Sequence, residues 1–228
     1  MRVYDRNLLG WMVLRAVFLG LLAAYVPVVQ GAQDEATARR EKALSELQGG
    51  NAEARAKACL VLAEDGKPSD LPPVMAALYD PDETVRRAAE QAVWRIWSRS
   101  GDTAADRVFD AGMAQMRDGD LRAAASTFGQ VIGMKPEFAE AWNKRATIYF
   151  LLGEDDISLR DCDEVLKRNP QHFGVLAGLG QIYLRKGDLP RALDYLERAL
   201  AINPNMDGVR DSIDAIGKIL AEKQKRFI

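Results

Sequence analysis

The sequence predicts an all-α fold, a solenoid of helical hairpins, and three observations carry that prediction. Ala, Leu, Arg, Glu and Lys dominate after residue 33, whereas β-branched runs and alternating apolar patterns are nearly absent. A set of positions recurs three times at a spacing of 34 residues. Gly and Pro fall at constant places in that register, where helices would turn or stop.

The register is clearest in its third copy, which carries Gly180, Tyr183, Gly187, Ala192, Leu196, Ala199 and Pro204. The second copy has Ala146, Tyr149, Gly153, Ser158, Cys162, Val165 and Pro170 at the same places, and the first has Gly112, Gln115, Gly119, Ala124, Phe128, Val131 and Pro136. Small residues recur where two helices would cross closely, large apolar ones where a core must be filled, and Pro where a helix must end. Helical patterns over 139–152 and 155–168, and over 173–186 and 189–202, make each unit a hairpin. Gly153 and Gly187 supply the left-handed residue that a tight helix–helix turn requires. Gly112, Ala146 and Gly180 let the second helix of each pair approach the first. Gly174 and Gly178 have no packing role in this pattern beyond thinning one face.

This spacing resembles the tetratricopeptide repeat (TPR), whose signature is W-x2-L-G-x2-Y followed by Ala, Phe, Ala and Pro. The second copy matches with Trp142, Arg145, Ala146 and Tyr149, the third with Leu176, Leu179, Gly180 and Tyr183, and the first with Val108, Ala111, Gly112 and Gln115. Arg145 stands where the signature has Leu, and Asp161 on the facing helix is its expected ion partner. The resemblance implies hairpins stacked in a right-handed superhelix that binds peptides or partner helices on its concave side. It assigns to that side Phe109, Met113 and Met116, then Asn143, Thr147 and Phe150, then Ala177, Gln181 and Leu184, with Lys144 and Arg185 near the edge. Phe109 and Met113 stand where the basic clamp of some relatives needs Lys and Asn, so capture of a C-terminal carboxylate does not carry over. A groove rich in Met and Phe suits an amphipathic helix or an extended apolar peptide. The alternative is that these side chains pack against the chain's own neighbouring helices.

Around the three repeats, expected at 102–206, lie a capping helix at 207–228 and a further helical module at 32–101. In that module Leu47, Ala54, Arg55, Ala58 and Leu62 recur 31 residues later as Leu78, Val85, Arg86, Ala89 and Val93. The two copies resemble short HEAT-type repeats, the alternative being a plain amphipathic bundle. Asp80 is the expected N-cap of the helix that follows, with Pro81 at its first position and Glu83 completing a capping box. Trp94 and Trp97 lie about one turn apart and are expected to pack between modules. With no Gly/Ser-rich linker between the modules, one continuous solenoid is expected.

Residues 1–31 read as an export signal: Arg2, Arg6 and Arg15 precede an apolar run from Ala16 to Val29, and Val29 and Gly31 suit a signal peptidase. The alternative is an uncleaved membrane anchor. Cys162 takes the place of Phe128 and Leu196 in the register and reads as a small buried hydrophobe; a disulfide to Cys59 is the other reading. His172, the single histidine, falls in a turn with no nucleophile beside it and is expected to be solvated. No metal, cofactor or catalytic residue is expected. With a formal net charge of −2 and interspersed signs, nucleic acid is an unsuitable partner. The expected function is that of an exported, non-catalytic scaffold that binds another protein through the groove, in the periplasm or outside the cell, or at the inner membrane if the anchor is retained. The competing readings are a chaperone-like holdase for envelope proteins and a noncatalytic subunit of an enzyme.

Overall fold

A computed structural model describes residues 33–225, and the segment read as an export signal, residues 1–31, therefore lies outside the described residues. Every element within them is helical. The N-terminal module comprises α1 (33–49), α2 (Ala52–Asp65), α3 (Leu71–Ala76) between two short 3₁₀ turns, and α4 (Glu83–Trp97). Three hairpins follow: α5 (Thr103–Arg117) with α6 (Leu121–Met134), α7 (Ala139–Leu151) with α8 (Asp155–Arg168), and α9 (Phe173–Arg185) with α10 (Leu189–Ile202). The last helix is α11 (Asp207–Lys225).

The turns inside the hairpins are three copies of one device. Gly119, Gly153 and Gly187 all have φ between 77° and 82°, the left-handed region that an L side chain resists. The next amide reaches back five residues to close the helix, Asp120 N–H to Gln115 O at 2.9 Å, Glu154 to Tyr149 at 2.8 Å and Asp188 to Tyr183 at 2.9 Å. Asp120 and Asp188 then cap the following helix with their own carboxylates, accepting from the amides of Ala123 and Arg191.

The crossings within the hairpins are complementary in size. A Cβ added at Gly112 would lie 3.0 Å from the ring of Phe128, and one at Gly180 would lie 2.5 Å from Leu196 Cδ2. The second hairpin divides the same volume differently: Ala146 has the Cβ, and the facing residue is the smaller Cys162. There Ser158 Oγ also donates to Ala146 O at 2.8 Å. Arg145 meets Asp161 in the expected ion pair, a two-pronged contact at 2.7 and 2.8 Å, and the guanidinium lies over Trp142. Val209 and Ile216 of α11 bury against α10, so one face of the last helix closes the stack.

Cys59 and Cys162 are both free and buried, and burial pushes each thiol up to about 12. The start of α4 differs from expectation by two residues. Asp82 is the N-cap, accepting from the amides of Thr84 and Val85 at 2.8 and 3.2 Å. Asp80 is drawn away by Arg55, which holds both its oxygens at 2.7 and 2.8 Å. The recurring arginines keep related roles: Arg55 donates to Gly50 O ahead of α2, and Arg86 to Asp80 O and Pro81 O ahead of α4.

The module does not simply continue the stack into α5, as the absence of a Gly/Ser-rich linker implies. Its apolar face folds over the start of α9 and the α10–α11 turn, where Phe173, Ile202 and Met206 join the core of Leu78, Val93 and Ile96. Trp94 and Trp97 pack on Phe173 with ring centroids 5.2 and 5.0 Å away. Asn205 pins the same face, accepting from Arg86 at 2.7 Å and donating to Leu78 O at 2.9 Å. Tyr79 adds a hydrogen bond to Ala201 O. The Trp pair thus packs between modules as expected, but on the third hairpin. The reason is burial: this is where aromatic area on α4 meets an unfilled apolar edge.

Candidate functional site

The first helices of the hairpins, α5, α7 and α9, carry the nine positions assigned to the concave face, and the structure divides them. Asn143, Thr147 and Phe150 on α7 face Gln181 on α9 across one cavity of about 230 Å³. Its floor is Ala146 and Cys162, and its lining is mainly apolar. Gly174 and Gly178 form part of the α9 wall, and a Cβ at Gly178 would meet nothing within 4 Å. The missing side chain at Gly178 is what leaves the space open.

The other five positions do not line this cavity. Phe109 is 3% exposed and packs its ring on Phe128 and Phe138, at 5.3 and 5.1 Å between centroids. Met113 and Met116 lean half-buried on the same core. Ala177 and Leu184 pack, also half-buried, on the core shared by α9, α10 and α11. A first helix at the start of a stack must fill its own hairpin, which draws Phe109 inward.

Beside the cavity lies a buried polar cluster that the sequence reading had not assembled. His172 is fully buried rather than solvated. It caps α9, its Nδ1 accepting from Val175 N–H at 3.2 Å, so the ring proton resides on Nε2. That nitrogen lies 2.9 Å from Glu140 Oε2 and donates to it. Asn143 Nδ2 donates to the same oxygen at 3.1 Å. Lys144 Nζ stands 2.8 Å from Oε1 as an ion pair, off the line of a good hydrogen bond. Burial alone would push the Glu140 carboxyl up, but the His172 hydrogen bond and the Lys144 charge outweigh it and hold the group below the usual glutamate range.

The N-terminal module closes this cluster from above. Trp97 stacks on the imidazole at 4.4 Å and 21°, and Trp94 meets it edge-on at 5.6 Å. The Lys144 ammonium lies 5.5 Å from the Trp94 ring centroid. A Cβ at Gly174 would come within 2.4 Å of Trp94 Cη2, which gives Gly174 the packing role that the repeat pattern lacked. One signal could have located part of the cluster, because Glu140 and Gly174 occupy the same place in the register, 34 residues apart, ahead of Asn143 and Ala177. Nothing in the register points to Trp94 or Trp97.

The cations at the edge are engaged within the chain. Arg185 lies 3.9 Å over the Phe150 ring, donates to Phe150 O at 3.0 Å and pairs with Asp155, while Lys186 pairs with Asp156 at 3.0 Å. Among the described residues, no group of three or more His, Cys, Asp or Glu side chains is placed to hold a metal ion. No described helix is long and apolar enough to cross a membrane.

Comparison with known proteins agrees with this architecture. Tetratricopeptide repeat profiles match residues 109–156 and 137–205. A TPR repeat-containing protein of Rhizobium etli is 30% identical over 142 residues, covering 62% of this chain and 69% of that protein. The FK506-binding protein-like of Mus musculus is 23% identical over 141 residues, and the match spans only 40% of its length. Among solved structures, the first TPR of Spaghetti (RPAP3) bound to the HSP90 peptide SRMEEVD superposes with a TM-score of 0.50 at 20% identity, covering 51% of this chain and 93% of that one. The Sgt2 TPR domain from Aspergillus fumigatus reaches 0.51 at 17% identity, covering 54% and 83%. At these identities the structures speak for the fold alone. Three hairpins in one register, their glycine turns and the Rhizobium relative lead to one assignment: the chain belongs to the tetratricopeptide repeat family.

Proposed function

We propose that this chain is an exported, non-catalytic scaffold that seats a segment of another protein in the cavity between α7 and α9. The observation that carries the reading is the cavity itself, lined mainly by apolar atoms and opened by glycine on one wall. It is large enough for one big side chain, the kind of anchor on which peptide recognition turns. The Spaghetti domain is bound to an HSP90 peptide, which supports a peptide as the class of ligand. Export rests on the reading of residues 1–31 as a signal, and the N-terminal helices are read as HEAT-like pairs that brace the array.

A photo-crosslinking residue placed at Thr147 in the full chain, in its own cells, tests the assignment. One discrete adduct is expected there, lost when Phe150→Asp is added, and absent when the crosslinker is moved to the exposed Glu197 on α10. Equal adducts from Glu197, or an adduct indifferent to Phe150→Asp, would remove the cavity from the function. A ladder of unrelated adducts, together with suppressed aggregation of an unrelated unfolding enzyme, would favour a holdase. N-terminal sequencing of the same material reads out cleavage after Gly31.

A further inference from the structure

The hydrogen bonds around Glu140 bear on what the cavity accepts. A carboxylate can only accept, so Asn143, whose Nδ2 points at Glu140 Oε2 from 3.1 Å, is held with its amide nitrogen turned inward. Glu140 is in turn held by His172, whose proton is forced onto Nε2 by the Val175 amide at Nδ1. His172 is pressed into place by Trp97. The chain of contacts therefore spends one N–H of the Asn143 amide on Glu140 and fixes Oδ1, a pure acceptor, on the side of the amide turned away from Glu140. Thr147 behaves alike: its hydroxyl donates to Asn143 O at 2.9 Å, and only its lone pairs remain. Gln181 on the opposite wall can turn either end of its amide. The nearby cations are engaged, Lys144 by Glu140 and Arg185 by Asp155.

We propose that the cavity selects a protein segment presenting an apolar side chain beside a hydrogen-bond donor, a backbone or side-chain amide N–H, and rejects acidic segments. Glu140 and His172 are positioning residues that impose this selection by fixing the Asn143 amide. This rests on the reading of the cavity as the binding site and adds the chemistry of its partner. An acidic ligand would bring its negative charge toward Glu140, with no Lys or Arg among the described residues that line the cavity to meet it.

The test is an NMR titration of the full chain with three small probes: N-acetyl-phenylalaninamide, its dimethylamide, which lacks the terminal N–H donors, and the free acid N-acetyl-phenylalanine. The primary amide is expected to shift the Phe150, Gly178 and Gln181 resonances saturably. The dimethylamide should bind roughly 2- to 10-fold more weakly, as expected for one unmatched hydrogen bond, and the acid more weakly again. In Glu140→Met, which keeps the length of the side chain but removes the shared acceptor oxygen, the Asn143 amide is released, and the preference for amide over acid should fall toward one. A merely structural Glu140 would lower the melting temperature and leave that ratio intact. If the acid binds as well as the amide, the proposal is wrong while the cavity remains a site. If no probe moves those resonances, the cavity reading falls together with the proposal. Should Glu140→Met fail to fold, the wild-type ratio decides alone.

Discussion

Helix α9 carries two glycines that look alike in sequence and do opposite work. Gly180 faces Leu196 of its own hairpin, 16 residues on, and the same contact recurs as Gly112 with Phe128. Gly174 faces Trp94, 80 residues back in another module, and nothing repeats it. The first contact belongs to the repeat and the second to the assembly of modules. A missing side chain is informative from sequence only when its neighbour recurs at a constant spacing. Gly178, between them in the same helix, lines the cavity, and a Cβ added there would meet nothing within 4 Å.

Substitutions can widen or collapse this contrast. The largest effect is expected from Leu196→Ala. Leu196 is fully buried, and Gly180 opposite has no side chain to fill the void, so the loss should approach the upper end of about 2–5 kcal/mol in denaturant unfolding. Moving the second hairpin's solution into the third offers a sharper check: Gly180→Ala with Leu196→Cys should cost less than the two single changes added together, as Ala146 with Cys162 implies. Strict additivity would mean that the crossing is not a shared volume.

Trp94→Ala comes next, at about 3 kcal/mol, the low end for a large aromatic because the ring is only partly buried. Its signature should be regional. Hydrogen exchange is expected to accelerate in 33–97 and at the start of α9, while α5, α6 and α8 keep their protection. Uniform loss of protection would mean that module and repeats share one cooperative unit. Gly174→Ala should cost about 1–3 kcal/mol through collision with Trp94. In the Trp94→Ala background the same change should become neutral or favourable, and a double-mutant cycle showing no coupling would refute the contact. The smallest effect has the opposite sign: Gly178→Ala meets open space inside a helix and should stabilise by about 0.5–1 kcal/mol, while narrowing the cavity and weakening probe binding.

Much of the repeat array was legible because its determinants are local. Turn glycines, the Arg145–Asp161 pair and the small–large crossings all join residues within one hairpin, where spacing along the chain is a proxy for distance. The N-cap at Asp82 was missed because Asp80, the better candidate by pattern, is claimed by Arg55 on the neighbouring helix. His172, expected to be solvated because a turn is usually exposed, is instead buried under Trp97 and Trp94 of the N-terminal module. Four of the nine groove positions gather in one cavity. Phe109 is instead consumed by the core of the first hairpin, a demand of packing that the register does not distinguish from exposure on the concave face.

By itself, then, the order of residues determined that this chain forms helices, where they turn, how each pair crosses and which family it joins, since each depends on contacts a few turns apart. Only the tertiary structure decided that the N-terminal helices fold across the third hairpin, burying His172 and Glu140 and setting the Asn143 amide at the cavity wall. Those contacts join segments far apart in sequence, and their partners are chosen by which apolar surfaces remain uncovered once the hairpins have formed.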